Sequence, residues 1–331
     1  MGDVAMTVPV IRAFSQQYPE VKITMVSRPF FKPFFATIPN VEFFAVDVKD
    51  RHKGLRGLVQ LARELKQLSI DSVADLHNVL RSQVVRWLLK LSGVKVAATN
   101  KGRSEKKQLT RLDPSKNITP LEAMFERHAA TFKALGFPLD LSKVVLPEPL
   151  SLSTTVLQLT GDKTSKKWIG IAPFAQYDSK VYPFDLMQKV VNLLEAHSYK
   201  VFLFGGGAQE IALLEQLQQS NINSEVVAGK LNLEEELQLI SNLDVMLSMD
   251  SGNAHIAAML GVKVVTLWGA THPYAGFLPF NQPIENSLLP DRIAYPLLPT
   301  SVYGNKKVEG YDDVMRTITP ETVVAKIKSL V

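Results

Sequence analysis

The sequence predicts an α/β protein made of two doubly wound parallel sheets in tandem, and two observations carry that expectation. Short β-rich runs alternate with amphipathic helical stretches along the chain, and a proline-rich passage near the middle separates two such alternations. The 331 residues, 46% of them hydrophobic, suffice for two domains of about 150 residues, each with its own core. The expected organisation is a first domain at 1–140, a linker at 141–166 and a second domain at 167–331, with a terminal helix at 319–330 able to pack across domains.

The first alternation opens with MGDVAMTVPVIRAF, where Gly2-Asp3 reads as a turn into a helix. Asp3 is placed as N-cap, and Val4, Val8, Ile11 and Phe14 follow at helical spacing. In an α/β protein such a loop normally leaves a buried strand, and no apolar run precedes it here. VKITMVS, VEFFAVD, DSVADL and KVAAT then read as strands, separated by helical patterns such as GLRGLVQLARELKQL and LRSQVVRWLLKL. A helix is expected at about 119–135, followed by GFPLDLSKVVLPEPLSLS, whose prolines and lack of helical period mark it as interdomain.

The second alternation is clearer. KWIGIAP, YKVFLFG, SEVVAG, LDVMLSMD and VKVVTLWG are five short apolar strands, most ending in Gly, Asp or Pro, with helices between them. Open α/β sheets bind ligands outside the carboxyl ends of their strands, so a site is expected in the loops that follow strands, in a cleft between the two sheets.

Composition narrows the function classes. No apolar run approaches the roughly 20 residues that span a bilayer, and the first residues show no signal-peptide pattern. The absence of cysteine excludes disulfides and thiolate sites and agrees with a reducing, cytoplasmic compartment. The net charge of +5 is unevenly spread. KGRSEKKQLTRLDPSK carries Lys101, Arg103, Lys106, Lys107, Arg111 and Lys116 against Glu105 and Asp113, and reads as a mobile basic loop. It is either simply solvated or a contact for an anionic saccharide, a lipid or the inner membrane surface. No nucleic-acid partner is expected, because neither aromatic interleaving nor a nucleic-acid motif accompanies the charge.

The richest loop is MLSMDSGNAHIAAMLGVKVVTLWGATHP. A strand ends at Met249, Asp250-Ser251-Gly252 form a turn, and a helix begins near Asn253 with His255 in its first turn. The N–H groups of that helix start and the Ser251 hydroxyl make an anion site suited to a diphosphate, and Gly252 permits close backbone approach. The alternative is ordinary capping by Asp250 or Ser251.

With Asp250-Ser251-Gly252 spaced ahead of His255, the chain resembles glycosyltransferase family nine, the lipopolysaccharide heptosyltransferases. GDVAMTVPVIRAF, DLHNVLRS at 75–82, SKVYP at 179–183, FGGGAQE at 204–210 and the closing ITPETVVAKI match in kind and order, so the resemblance covers nearly the whole chain. It implies a GT-B-like fold with two Rossmann-like domains, the nucleotide-sugar on the C-terminal half and the acceptor on the N-terminal half. It also implies an inverting, metal-independent transfer from an ADP-sugar donor, with no cofactor and no metal site. Lys180 corresponds to the family's phosphate-contacting lysine, though an exposed lysine ahead of a helix is the plainer reading. Asp250, Ser251, Gly252 and His255 would complete the diphosphate and ribose site, and Gln209 or Glu210 would reach the nucleoside. After IAP the pattern departs from the family, since Phe174 and Ala175 offer the phosphates no hydroxyl.

By the same resemblance Asp3 is the general base that takes the acceptor hydroxyl's proton; the alternative is an N-cap and nothing more. The family's first loop follows a strand, so the resemblance implies a chain that lacks strand one, with two facing strand edges open where it would lie. Met1 to Asp3 would then be poorly held, and an added apolar β run ahead of them is expected to raise stability and activity together. On the acceptor side His77, Asn78 and Arg81 follow a strand ending at Leu76, and Arg81 suits an acceptor carboxylate or phosphate. His128 reads as a structural histidine on a helix surface, and His52 and His272 receive no role. A GT-B sugar-nucleotide epimerase and a catalytically inactive nucleotide-sugar-binding protein stand as alternative functions.

Overall fold

The computed structural model describes residues 1–219, 221 and 223–331. The chain divides into two compact units: Met1, Asp3–Gly102 and Glu122–Leu146 form the first, while Gly2, Arg103–Leu121 and Pro147–Val331 form the second.

The chain starts in a short helix, α1 (Gly2–Ala5), and restarts as α2 (Val8–Gln17) with Thr7 as its N-cap residue. Asp3 therefore lies inside a helical turn and is not the N-cap of one long helix. Pro9 explains the break: it has no N–H for the Ala5 carbonyl, and its ring is tolerated only in the first turn of a new helix. Thr7 Oγ1 donates to Val4 O at 2.7 Å and closes the step.

Next come β1 (Ile23–Ser27), β2 (Val41–Ala45), α3 (Gly54–Gln67), β3 (Ser72–Asp75), α4 (Leu80–Leu91) and β4 (Lys95–Ala98). β1 pairs in parallel with β2, and β3 with β4; among the described residues no ladder joins the two pairs. Among the described residues each strand of these pairs has a single partner, and all five residues of β1 are only half-buried. Leu58, Leu61 and Leu65 of α3 and Val85 and Leu89 of α4 bury one apolar stripe each against these strands.

The basic segment is not a mobile loop. Residues Arg103–Leu109 form α5, which belongs to the C-terminal unit. Lys106 there is 2% exposed and its Nζ sits 4.1 Å from the centroid of the Phe277 ring. The Lys116 ammonium donates to Arg111 O at 2.9 Å, Leu297 O at 2.6 Å and Pro299 O at 2.5 Å, which uses all three of its hydrogens.

The helix expected from about residue 119 begins later, as α6 (Met124–Ala134), because Pro120 precedes it and Glu126 reaches back to the Ala123 N–H at 2.8 Å. Phe132 stacks on Phe14 with centroids 4.7 Å apart and so ties α6 to α2. His128 is 2% exposed, so it is a core residue and not a surface one.

The passage at 136–153 is extended apart from a single 3-10 turn at Leu141–Lys143, and α7 (Thr154–Thr160) follows, capped by the Ser153 hydroxyl. The C-terminal unit then alternates β5 (Trp168–Ala172), α8 (Phe184–Ala196), β6 (Lys200–Leu203), α9 (Ala208–Gln218), β7 (Ser224–Val226), α10 (Leu233–Ser241), β8 (Val245–Met249), α11 (Gly252–Met259), β9 (Lys263–Leu267), β10 (Ser287–Leu288) and α12 (Pro320–Lys328). These six strands form one parallel sheet in the order β10-β9-β8-β5-β6-β7. β5 and β8 lie inside the sheet and every residue of both is buried, as parallel strands covered by helices on both faces must be. The order reverses between β5 and β8, and the loops after those two strands are therefore neighbours.

Candidate functional site

Three loops meet at the carboxyl end of this sheet: the one after β5 bearing Lys180, the one after β8 bearing Asp250, and the one after β9 bearing Thr271. Lys180 sits on a 3-10 turn, Asp178–Lys180, that is fixed from two sides. Ser179 O accepts from the Ala270 N–H at 2.9 Å, and the backbone at Gly269 passes so near that a Cβ there would stand 2.1 Å from Ser179 O. Ser179 Oγ donates to Gly304 O at 2.6 Å. At Gly304, with φ +87°, a Cβ would stand 2.7 Å from Lys180 Cγ.

So held, Lys180 Nζ donates to Asp250 O at 2.6 Å and lies 3.2 Å from Asp250 Oδ2. The Thr271 hydroxyl donates to the same oxygen at 2.8 Å. Both partners are largely withdrawn from water, with side chains 12% and 9% exposed, so the carboxylate fixes the ammonium at a defined point beside the start of α11.

The N-cap side chain leaves that helix start without a capping bond. Ser251 is the N-cap residue, yet its hydroxyl makes no capping bond and instead lies 3.2 Å from Ser248 Oγ. Asp250 sends its carboxylate to Lys180 and Thr271, so neither side chain caps as the plainer sequence reading supposes. The first-turn N–H groups of α11 lie just after Asp250, whose carboxylate balances the Lys180 ammonium. His255 lies in that first turn and is 7% exposed.

After β6, Gly207 adopts φ +81° as N-cap residue of α9, and Glu210 Oε2 accepts from the Gly206 N–H at 2.8 Å. Glu210 thus shapes its own loop, and Gln209 beside it is exposed.

In the N-terminal unit Asp3 Oδ2 lies 3.7 Å from His77 Nε2, both side chains being well exposed at 68% and 58%. Partial burial, with Lys101 nearby, holds the His77 ring below its ordinary value against the pull of Asp3. Asn78 has φ +42° and is committed to its turn: its N–H donates to Asp75 Oδ1 at 2.7 Å, its amide donates to Thr99 O at 2.9 Å, and its carbonyl accepts from Gln83 at 3.1 Å. Arg81, in the first turn of α4, is exposed.

Sequence reasoning selected Lys180 and Asp250 separately and missed that they pair. It also missed Thr271, Ser179, Gly269 and Gly304, which hold the pair in place. The W-G-A-T run directly after β9 carried the signal for two of them, since it too is a loop at a strand's carboxyl end.

The family model for glycosyltransferase family 9 (heptosyltransferase) matches residues 58–296. Lipooligosaccharide heptosyltransferase 2 of Haemophilus influenzae is 27% identical over 350 aligned positions, covering 100% of this chain and 96% of that protein. Among solved structures, a glycosyl transferase family 9 protein from Veillonella parvula superposes with a TM-score of 0.74 at 20% identity, covering 100% of this chain and 94% of the other. Escherichia coli heptosyltransferase WaaC, solved with ADP-2-deoxy-2-fluoro heptose, gives a TM-score of 0.64 at 18% identity, with 99% and 96% covered. With an α/β fold of the GT-B-like kind and a family match that runs through both units, the chain belongs to glycosyltransferase family 9, the heptosyltransferase family, and is a glycosyltransferase.

Proposed function

We propose that this glycosyltransferase moves a heptose-like sugar from an ADP-activated donor to a lipopolysaccharide core or related glycan, with inversion at the anomeric carbon and without a metal ion. The observation that carries the reading is the buried Lys180–Asp250 pair at 3.2 Å beside the uncapped start of α11. A fixed cation and converging N–H groups are what a leaving diphosphate requires. The names of the Haemophilus relative and of the WaaC complex supply the sugar and the nucleotide.

In this reading Lys180 and the α11 N–H groups take the growing charge of the diphosphate. Asp250 and Thr271 hold the lysine, Ser251, Gly252 and His255 border the phosphates and ribose, and Gln209 reaches the nucleoside from a loop that Glu210 stiffens. The acceptor hydroxyl oxygen bonds to the anomeric carbon as the bond from that carbon to the diphosphate breaks. Its proton passes to the Asp3 carboxylate, and ADP leaves with the bonding electrons. Arg81 pairs with an acceptor anion, and Asn78 fixes the turn between them. The reaction is placed in the cytoplasm, at the inner face of the membrane where a glycolipid acceptor is available.

The test incubates the chain with ADP-heptose and a deacylated core acceptor in chelator, measures ADP release, and assigns the anomer of the product by NMR. No ADP release, release that depends on added divalent metal, or a retained anomeric configuration would each overturn the corresponding part.

A further inference from the structure

We propose that the outward face of α4 seats on the surface of an anionic lipid bilayer. The inference takes from the glycolipid reading above only the place where the acceptor is presented.

The helix is apolar on two opposite sides. Val85 and Leu89 face the core, at 8% and 0% exposure. On the other side Leu80, Trp87 and Leu91 are 77%, 60% and 67% exposed. At about 100° per residue these three fall within an arc of about 40°, roughly opposite the buried pair. Single exposed apolar residues need no explanation, but three large ones in one stripe on a short helix do.

Charge selects the occupant. Arg81 and Lys90 lie on the two flanks of the stripe, both exposed, and α4 contains no acidic residue. A second copy of the chain docked on this face would set these cations against each other with no carboxylate on the helix to answer them. A bilayer with anionic headgroups supplies the opposite charge on both flanks and an apolar layer beneath, where an exposed tryptophan is favoured.

The experiment uses the full chain with vesicles of phosphatidylcholine, alone or mixed with phosphatidylglycerol. Of the three tryptophans, Trp168 and Trp268 are buried, so a fluorescence change on binding reports Trp87. Binding to the mixed vesicles, quenching of tryptophan emission by brominated acyl chains, and a tenfold or greater loss of binding in Trp87→Ser plus Leu91→Ser are expected. The doubly substituted chain should keep its melting temperature and its ADP release on a soluble deacylated acceptor, and Trp87→Phe should restore binding. Failure to bind mixed vesicles, binding without quenching, undiminished binding by the doubly substituted chain, or a dimer in solution that the substitutions dissociate would overturn the inference. Absent ADP release with vesicle binding intact would overturn the transfer reaction and leave this surface standing.

Discussion

Lys180 and Asp250 stand seventy residues apart in the chain and form a single unit: one ammonium donates both to the backbone carbonyl of Asp250, at 2.6 Å, and toward its carboxylate, at 3.2 Å. Removing either partner leaves a mostly buried charge beside the anion-binding helix start. In the proposed donor site Lys180→Ala is expected to weaken nucleotide-sugar binding by about 1.5–3 kcal/mol, the worth of a charge-assisted contact, measured by titration calorimetry. Unchanged affinity would remove the phosphate role from Lys180.

Asp250→Asn keeps an acceptor for Thr271 but removes the charge that positions Lys180. Its expected effect on donor affinity is smaller than that of Lys180→Ala, and the two together should cost less than their sum, since they act as one unit. Additive losses in the double-mutant cycle would show that they contact the donor independently.

Asp3→Ala should lower kcat by about 10²- to 10⁴-fold while donor affinity stays as it was, the pattern for a lost general base. A change confined to KM would make Asp3 a binding residue instead.

Lys116 gives its three hydrogens to the carbonyls of Arg111, Leu297 and Pro299, and burial lowers its ammonium from the usual lysine value to about 8. Lys116→Met fills the stem's space but leaves three carbonyls without their donor. A loss of about 2–4 kcal/mol in urea unfolding is expected, and a loss below about 0.5 kcal/mol would show that water replaces the ammonium freely.

His272 predicts a pH effect. Its ring is 7% exposed and its Nδ1 accepts from the Tyr274 N–H at 3.1 Å. Burial, with Arg292 and Lys116 nearby, lowers it from about 6.5 to about 4. Between those values the unfolded chain binds a proton that the folded chain refuses, so the neutral ring's contribution is present above pH 6.5 and is lost as pH falls toward 4. The loss is at most about 3 kcal/mol. His272→Asn keeps an acceptor for Tyr274 and should flatten the fall in urea midpoint between pH 6.5 and 4.5; an equally steep fall would assign it to other groups.

What the sequence determined on its own was local. The period of LRSQVVRWLLKL predicts α4 at the residues it occupies, and alternation with apolar runs locates β1 to β9, because a helix or strand is encoded in neighbours three, four or two residues apart. The same reasoning placed Asp250, Ser251 and Lys180 in loops after strands. It missed the two-residue β10, too short to show a period, and misjudged Asp3, where Pro9 interrupts an otherwise continuous helical pattern. Only the tertiary structure decided which loops meet. Strand order is set by packing across the sheet, and the placement of β8 between β5 and β9 brings Lys180, Asp250 and Thr271 together from three separate loops. Packing also turned two cations of the basic run at 101–116 inward: Lys106 on Phe277 and Lys116 on the carbonyls of Leu297 and Pro299 have partners that lie far along the chain, and no local charge count could show them.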